Sequence, residues 1–167
     1  LWINRIKFRS MKYQKIDSSL FIKNRKNFLG RMKPNSIAFF NSNDIYPISA
    51  DSTLPFEQHR DIFYLSGVDQ EESVLMLCPG CSDNSLREVL FLKETDEHIA
   101  VWEGPKLNKK QAFETSGIKS VFWLDEMENI IDKVMNECET IYYNHNEHYR
   151  AKVEMETREE RLNKWLD

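Results

Sequence analysis

The stretch of residues 55–67, PFEQHRDIFYLSG, decides which fold the sequence predicts. Its first half places Glu57, His59 and Asp61 close together, and these residue types serve in acid–base and metal sites. Its second half is apolar and aromatic. The stretch is therefore either a charged active site or a segment of the architecture that carries charges at its start.

The second half of this stretch favours the architectural interpretation. Residues 61–67 are rich in aromatic and branched side chains and end in glycine, which is typical of a strand. Strand alternation would bury Phe63 and Leu65 and turn Ile62 and Tyr64 to the other face. We therefore predict a strand here, with the charged residues before it on the surface.

The bulk composition predicts one soluble domain. The chain has 167 residues, with 41% hydrophobic and 30% charged residues, enough to bury a core. A net charge of −4 argues against non-specific binding of nucleic acid. No apolar run approaches the roughly 20 residues of a membrane span. Three cysteines and no secretory signal favour the cytoplasm.

The remaining periodicities predict an α/β fold. A helix capped by Asp17 or Ser18 runs to about Met32, and loop composition marks 41–55. Further strands are predicted over 36–41, 73–78, 87–93, 118–124 and 140–145, the second and third of these as an antiparallel pair. Further helices are predicted over 108–117, ending at Gly117, and over 125–138, capped by Asp125. This order predicts a mixed sheet of about six strands with helices on both faces, that is, three α/β/α layers.

No single short motif in the sequence gives strong evidence for a catalytic or metal-binding site. Cys78 and Cys81 form a C-x-x-C, but a strand precedes it and Cys138 is the one cysteine left, so we favour a Pro-Gly turn over a redox or zinc site. His145 and His148 are spaced i, i+3 and not as in H-E-x-x-H, which favours a solvated loop. Trp102 lies in a short apolar group within a polar stretch, as an interface anchor or as a packed loop residue.

The order of several motifs is more informative than any one of them. Asn-Asp-Ile-Tyr-Pro at 43–47 precedes Pro-Phe-x-Gln-x-x-Asp-x-Phe-Tyr-Leu-Ser-Gly at 55–67, and after a predicted hairpin comes Ile-Ala-Val-Trp-Glu-Gly at 99–104. This succession resembles the N-terminal domain of aminopeptidase P, the family of Xaa-Pro aminopeptidases related to prolidase and creatinase. The resemblance covers roughly residues 15–144.

The resemblance implies a division of the chain into three parts. Residues 1–14 would be leader or added residues, with Met11 as a natural start. Residues 15–148 would form the domain with the creatinase/prolidase N-terminal fold, three α/β/α layers around a mixed sheet. Residues 149–167 would be a charged helix or a linker toward a catalytic domain that this chain does not contain.

The same resemblance implies a function. Enzymes of this family are metallopeptidases that remove an N-terminal residue before proline, using two metal ions, usually manganese, in the C-terminal domain. This chain would be the non-catalytic half, inactive alone, that serves oligomerisation and access to the active site. Its partners would be its own catalytic domain, further copies in a dimer or tetramer, and peptides with proline at the second position, without nucleic acid or membrane.

The resemblance also implies roles for individual residues that match positions of the family's motifs. Trp102 matches a family tryptophan that reaches toward a neighbouring subunit's active site, and Asp44 lies where the family has an acidic residue near the substrate entrance. Structural signature residues are Pro55, Phe56, Gln58, Asp61, Tyr64, Gly67 and Gly104. The chain departs from the family by an insertion at 48–54 and by Glu57, which replaces a basic residue before Gln58.

Two other functions stay open on the sequence. The chain could be a stand-alone binding or scaffold module with its charged tail as an arm. It could also be a small thiol redox protein that uses Cys78 and Cys81. A reading frame that continues past Asp167 into metal-binding motifs would favour the non-catalytic half of an aminopeptidase over both of these functions.

Overall fold

The computed structural model describes residues 15–49, 52–96 and 104–144. Within these ranges the helices are α1 (Ser18–Leu29), α2 (Arg60–Ser66), α3 (Lys109–Ser116) and α4 (Met127–Met135). The strands are β1 (Ser36–Asn41), β2 (Pro47–Ser49), β3 (Ser52–Thr53), β4 (Ser73–Leu77), β5 (Glu88–Leu92), β6 (Ser120–Trp123) and β7 (Thr140–Tyr143). Short 3₁₀ turns cover Asn84–Leu86 and Leu124–Glu126.

A mixed five-stranded sheet forms the middle layer, in the order β6-β5-β4-β1-β7. The three central strands are antiparallel neighbours, and the outer strands β6 and β7 run parallel to β5 and β1. The predicted antiparallel pair, β4 and β5, is confirmed. The strands β2 and β3 form a separate two-stranded hairpin inside the predicted loop 41–55.

Helices cover both faces of this sheet, so the predicted three-layer α/β/α class is confirmed. Alternate residues of each central strand point to opposite faces, as strand geometry requires. Leu75 and Leu77 of β4 pack with residues of α1, α2 and α3, whereas Met76 packs with Ile130 and Val134 of α4. The core is therefore two apolar layers separated by one sheet.

The strand predicted over 61–67 is wrong, since this segment is helix α2. Ile62, Leu65 and Ser66 are buried, at the i, i+3, i+4 spacing of one helical face, whereas Tyr64 is 58% exposed. The predicted alternation, with Ile62 outward and Phe63 inward, is therefore also wrong. Without this segment the predicted six strands become the five that are observed in the main sheet.

The start of α4 also differs from its prediction. The helix begins at Met127 after a 3₁₀ turn, and Asp125 does not cap it. The Glu126 carboxylate instead accepts a hydrogen bond from the backbone N–H of Trp123, 2.8 Å away. The predicted cap Asp17 on α1 and the predicted end of α3 at Gly117 are both confirmed.

Arg25 of α1 ties together the ends of two other helices. Its side chain is 1% exposed and its Nη1 donates to the carbonyl oxygens of Leu65 and Ser116, at 2.8 and 2.9 Å. These carbonyls belong to the last turns of α2 and α3, where no intrahelical N–H remains to bind them and where a positive charge is favourable. Its Nε also donates to the Glu88 carboxylate at 2.8 Å.

The two helix ends that Arg25 joins share the pattern F-x-x-S-G. Residues 63–68 read FYLSGV and residues 113–118 read FETSGI. In each, the serine hydroxyl donates to the carbonyl four residues earlier and accepts from the N–H two residues later. Gly67 and Gly117 have positive φ, and a Cβ at either would lie within 2.6 Å of Phe21 or Ile22 of α1. Glycine therefore lets α1 pack closely on both ends.

In the described part of the chain, no helix has the length and apolar character needed to cross a membrane.

Candidate functional site at one end of the sheet

The described parts of the signature motifs lie at or next to one end of the sheet. We call it the signature end: β1, β5, β6 and β7 end there and β4 begins there. The connections that leave or enter at this end include 42–59, 67–72 and the segment from 93 to 108. The 43–47 motif and residues 55–59 of the 55–67 motif belong to these connections, as does Gly104, the one residue of the 99–104 motif that the structure describes.

Gln58 joins the first half of the 55–67 motif to the turn after α2. Its Nε2 donates to the backbone oxygens of Val68 and Gln70, at 3.1 and 2.8 Å. Its Oε1 accepts from the N–H of His59 at 2.7 Å. The amide therefore uses both its donor and its acceptor on backbone groups.

Gln70 extends this connection to the segment after the 99–104 motif. It is buried, and its Oε1 accepts from the N–H of Leu107 at 2.7 Å. The neighbouring Glu71 pairs with Lys106, and the side chains of both are largely buried. Gln58 and Gln70 therefore connect the 55–67 motif to Leu107, in the segment that follows the 99–104 motif.

The loop that carries Asp44 is attached to the same region. Asn43 Nδ2 donates to the backbone oxygen of Glu57 at 2.9 Å, and the N–H of Leu54 donates to the oxygen of Tyr46 at 2.9 Å. The loop and the β2–β3 hairpin leave four large apolar side chains exposed by 38–56%. They are Ile45, Tyr46, Ile48 and Leu54. We call this set the hairpin patch.

His59 and Asn144 link the same end of the sheet to β7. Asn144 bonds both backbone groups of Asn41, and its Nδ2 lies 3.2 Å from His59 Nδ1. The N–H of Asp61 also points to this nitrogen, at 3.3 Å. The N–H of Asp61 thus donates to His59 Nδ1, and the Asn144 amide lies within hydrogen-bond distance of the same atom. His59 thus caps α2 and has no catalytic partner among these contacts.

The structure places the other signature residues in structural positions. Asp61 is exposed in the first turn of α2, where a carboxylate is favourable, and Tyr64 is exposed on the same helix. Phe56 is half-buried and Pro55 exposed at the entrance to this segment. Gly67 ends α2 in the left-handed region, and Gly104 also has a positive φ of 82°.

Of the two residues expected near a substrate, the structure describes one. Asp44 is exposed in the loop before β2. Trp102 lies outside the described residues, as do His145 and His148. Among the residues that are described, no three His, Cys, Asp or Glu side chains group together in a way that could hold a metal ion.

The sequence analysis missed Gln70, Asn144 and Arg25, which connect these elements. Gln70 and Asn144 stand alone in polar stretches, and no local signal distinguishes them from solvated loop residues. The repeated F-x-x-S-G at 63–67 and 113–117 indicates two similar helix ends, but it does not indicate that Arg25 binds their carbonyls.

Comparison with known proteins gives one family. The family described as "Aminopeptidase P, N-terminal domain" matches residues 21–142, more than half of the chain. The Xaa-Pro aminopeptidase of Escherichia coli is 27% identical over 144 residues, which are 86% of this chain and 32% of that protein. Human Xaa-Pro aminopeptidase 3 is 28% identical over 104 residues, which are 61% of this chain and 20% of that protein.

Solved structures of aminopeptidases also superpose on this chain. The Pseudomonas aeruginosa aminopeptidase PepP superposes with a TM-score of 0.72 at 25% identity, over 90% of this chain and 32% of that one. A structure of an aminopeptidase P from Bacillus anthracis has a TM-score of 0.71 at 22% identity and supports the fold. The chain spans about a third or less of the length of these relatives.

Proposed function

Because the chain belongs to the family of aminopeptidase P N-terminal domains, we propose that it is the non-catalytic half of a Xaa-Pro aminopeptidase. The complete enzyme would be a cytoplasmic hydrolase that removes an N-terminal residue before proline. Its catalytic domain, outside this chain, would bind two manganese ions that activate the attacking water. This chain would serve subunit assembly and control of access to that site.

The hairpin patch is the observation that carries this proposal. Four large apolar side chains on one short loop and hairpin are exposed, and such groups mark surfaces that another protein covers. Ile48 and Leu54 of the patch lie in the insertion at 48–54, where this chain differs from the family pattern, whereas Ile45 and Tyr46 lie in the 43–47 motif. A contact made by Ile48 or Leu54 would therefore be particular to this protein.

The location of the hairpin patch indicates which part of the protein would contact it. Asp44 lies beside it in the same loop, and the segment that follows Trp102 returns to the same end of the sheet through Leu107. We infer that the signature end faces a catalytic domain, its own or that of a second copy. In that position this chain would narrow the entrance to the active site, so that short peptides enter and folded proteins do not.

The proposal is tested in a protein that joins this chain to its catalytic domain. Trp102→Ala and Ile48→Asp are compared with the unchanged enzyme for kcat/KM on an Xaa-Pro peptide and for molecular mass by light scattering. We expect at least one variant to lose subunit assembly or to lower kcat/KM by about 10-fold or more, because interface anchors contribute about 2 kcal/mol or more. The isolated chain should not hydrolyse the peptide.

Lys119→Ala is the matched control, because this exposed residue precedes β6 at the opposite end of the sheet. It should leave mass and kcat/KM unchanged. Unchanged values in both Trp102→Ala and Ile48→Asp would remove the role in assembly and access. A gene whose reading frame stops at Asp167 would favour a stand-alone binding module instead.

A further inference from the structure

The three cysteines of the chain lie together on the α4 side of the sheet, although the sequence separates Cys138 from the other two. Cys78 directly follows β4, and a turn leads from Cys78 to Cys81. The N–H of Cys81 donates to the backbone oxygen of Cys78 at 3.2 Å. Cys138 follows α4. The Sγ atoms of Cys78 and Cys138 are 3.5 Å apart, across 60 residues of sequence.

The two backbone segments that carry this pair are held against each other. The Glu137 carboxylate accepts from the N–H and the hydroxyl of Ser82, at 2.7 and 2.8 Å. Glu137 adjoins Cys138 and Ser82 adjoins Cys81, so these hydrogen bonds hold the far end of the turn at 78–81 against the segment that carries Cys138. A disulfide needs its sulfurs about 2.05 Å apart, so closing the pair requires a movement of about 1.5 Å, within the reach of side-chain rotation and a small loop shift.

The two thiols differ in their access to a reagent. Cys78 is buried, whereas Cys138 is partly exposed. Burial, with the neighbouring Cys138 thiol, raises the pKa of Cys78 to about 12. Cys78 is therefore an unreactive thiol toward reagents in solution, and Cys138 is the one that a reagent reaches first.

We propose that Cys78 and Cys138 form an oxidation site that low-molecular-weight disulfides convert to an intramolecular disulfide. The Cys138 thiolate attacks one sulfur of oxidised glutathione; the reagent's S–S bond breaks and one glutathione thiolate leaves. Cys78 then gives its proton to the released glutathione thiolate and attacks the Cys138 sulfur, which releases the second glutathione. The protein is oxidised by two electrons, and one oxidised glutathione becomes two reduced molecules.

The product links the end of β4 to the residue just beyond α4. Since these segments are 60 residues apart, the bond closes a long loop and restricts the unfolded chain. The site lies on the α4 face, away from the helices α1 to α3, and it does not depend on the proposed peptidase role.

The test uses the 167-residue chain, incubated under native conditions with oxidised or with reduced glutathione. We expect the oxidised sample to lose the mass of two hydrogen atoms and to retain no glutathione. Peptide mapping without reductant should recover Cys78 linked to Cys138. The Tm should rise by on the order of 10 °C and return on treatment with dithiothreitol.

Two variants make the result specific. Cys81→Ala keeps the proposed pair and should still form the linked peptide, whereas Cys138→Ala should form none. A stable glutathione adduct on Cys138, a Cys78–Cys81 link, or an unchanged mass in the native sequence would each overturn the proposal. The mapping of the native sequence decides the question even where a variant does not fold.

Discussion

Gln58 shows how one side chain in the signature motif acts. Its amide donates to two backbone oxygens in the turn after α2 and accepts from the N–H of His59. A carboxylate could keep the acceptor but not the donor, and it would place negative charge against two carbonyl oxygens. The motif therefore requires an amide at this position for a structural reason.

Gln58→Glu should lower the free energy of unfolding by about 2–3 kcal/mol at neutral pH, since a charged group without donors faces two backbone oxygens. The measurement is urea unfolding followed by circular dichroism. Gln111→Glu is the matched control. Its Oε1 accepts from the N–H of Asn108 in a capping box, a contact that a glutamate keeps and that favours negative charge.

Gln111→Glu should therefore change stability by less than about 0.5 kcal/mol or raise it slightly. Equal losses in the two variants would contradict the role assigned to the Gln58 donor group.

At the scale of elements, helix α2 is the segment whose type the sequence analysis predicted wrongly. Its aromatic and branched residues resemble a strand, and seven residues are too few for a clear helical period. Contacts outside the helix stabilise it: Asn24 donates to the oxygen of Tyr64 and Arg25 to that of Leu65. Both donors come from α1, 40 residues earlier, so tertiary contacts outweigh local propensity here.

The comparison of Ile62→Ala with Tyr64→Ala distinguishes the helix from the predicted strand. A strand would place both side chains on one face, whereas α2 buries Ile62 fully and leaves Tyr64 58% exposed. Ile62→Ala should cost about 2–4 kcal/mol and Tyr64→Ala less than about 1 kcal/mol. Chemical denaturation of both variants measures these values, and similar costs would contradict the helix.

At the scale of the whole molecule, acidic side chains act as caps for backbone N–H groups. Hydrogen bonds lower the pKa of four carboxyl groups below their ordinary values. The four are Asp17, Asp83, Glu126 and Glu137, bonded to residues Ser19, Ser85, Trp123 and Ser82 respectively. For Asp17 and Asp83 the largest cause of the lower pKa is the hydroxyl of the partner serine, followed by its N–H; for Glu126 and Glu137 it is a backbone N–H. They lie on both faces of the sheet and at several turns, so their ionisation affects the fold as a whole.

Stability should therefore fall as the pH drops below about 4.5, the range in which free carboxyl groups take up protons. Each of the four groups has a lower pKa folded than unfolded. Its contribution is complete above the unfolded pKa and is lost as the pH falls through the folded pKa. The urea midpoint, measured from pH 7 to pH 3, should decrease at the acid end.

Glu137→Gln should reduce this pH dependence, because it removes one of the four groups. Glu139→Gln, an exposed neighbour, is its control and should leave the slope as it is. A urea midpoint that stays constant between pH 5 and pH 3 would contradict the capping role.

The sequence by itself determined the class of the fold and most of its elements. Runs of branched and aromatic residues between turn residues predicted the five strands of the main sheet, and Asp17 and Gly117 marked helix ends, because these signals are local. The order of the motifs also led to the family that the comparisons confirm.

Only the tertiary structure decided what depends on residues distant in sequence. It made residues 60–66 a helix, joined Gln58 to Leu107 through Gln70, and placed Cys78 beside Cys138. Hydrogen bonds and sulfur contacts of this kind depend on the path of the chain between the partners. Periodicity and local propensity report only on neighbours within a few residues, so they do not contain this information.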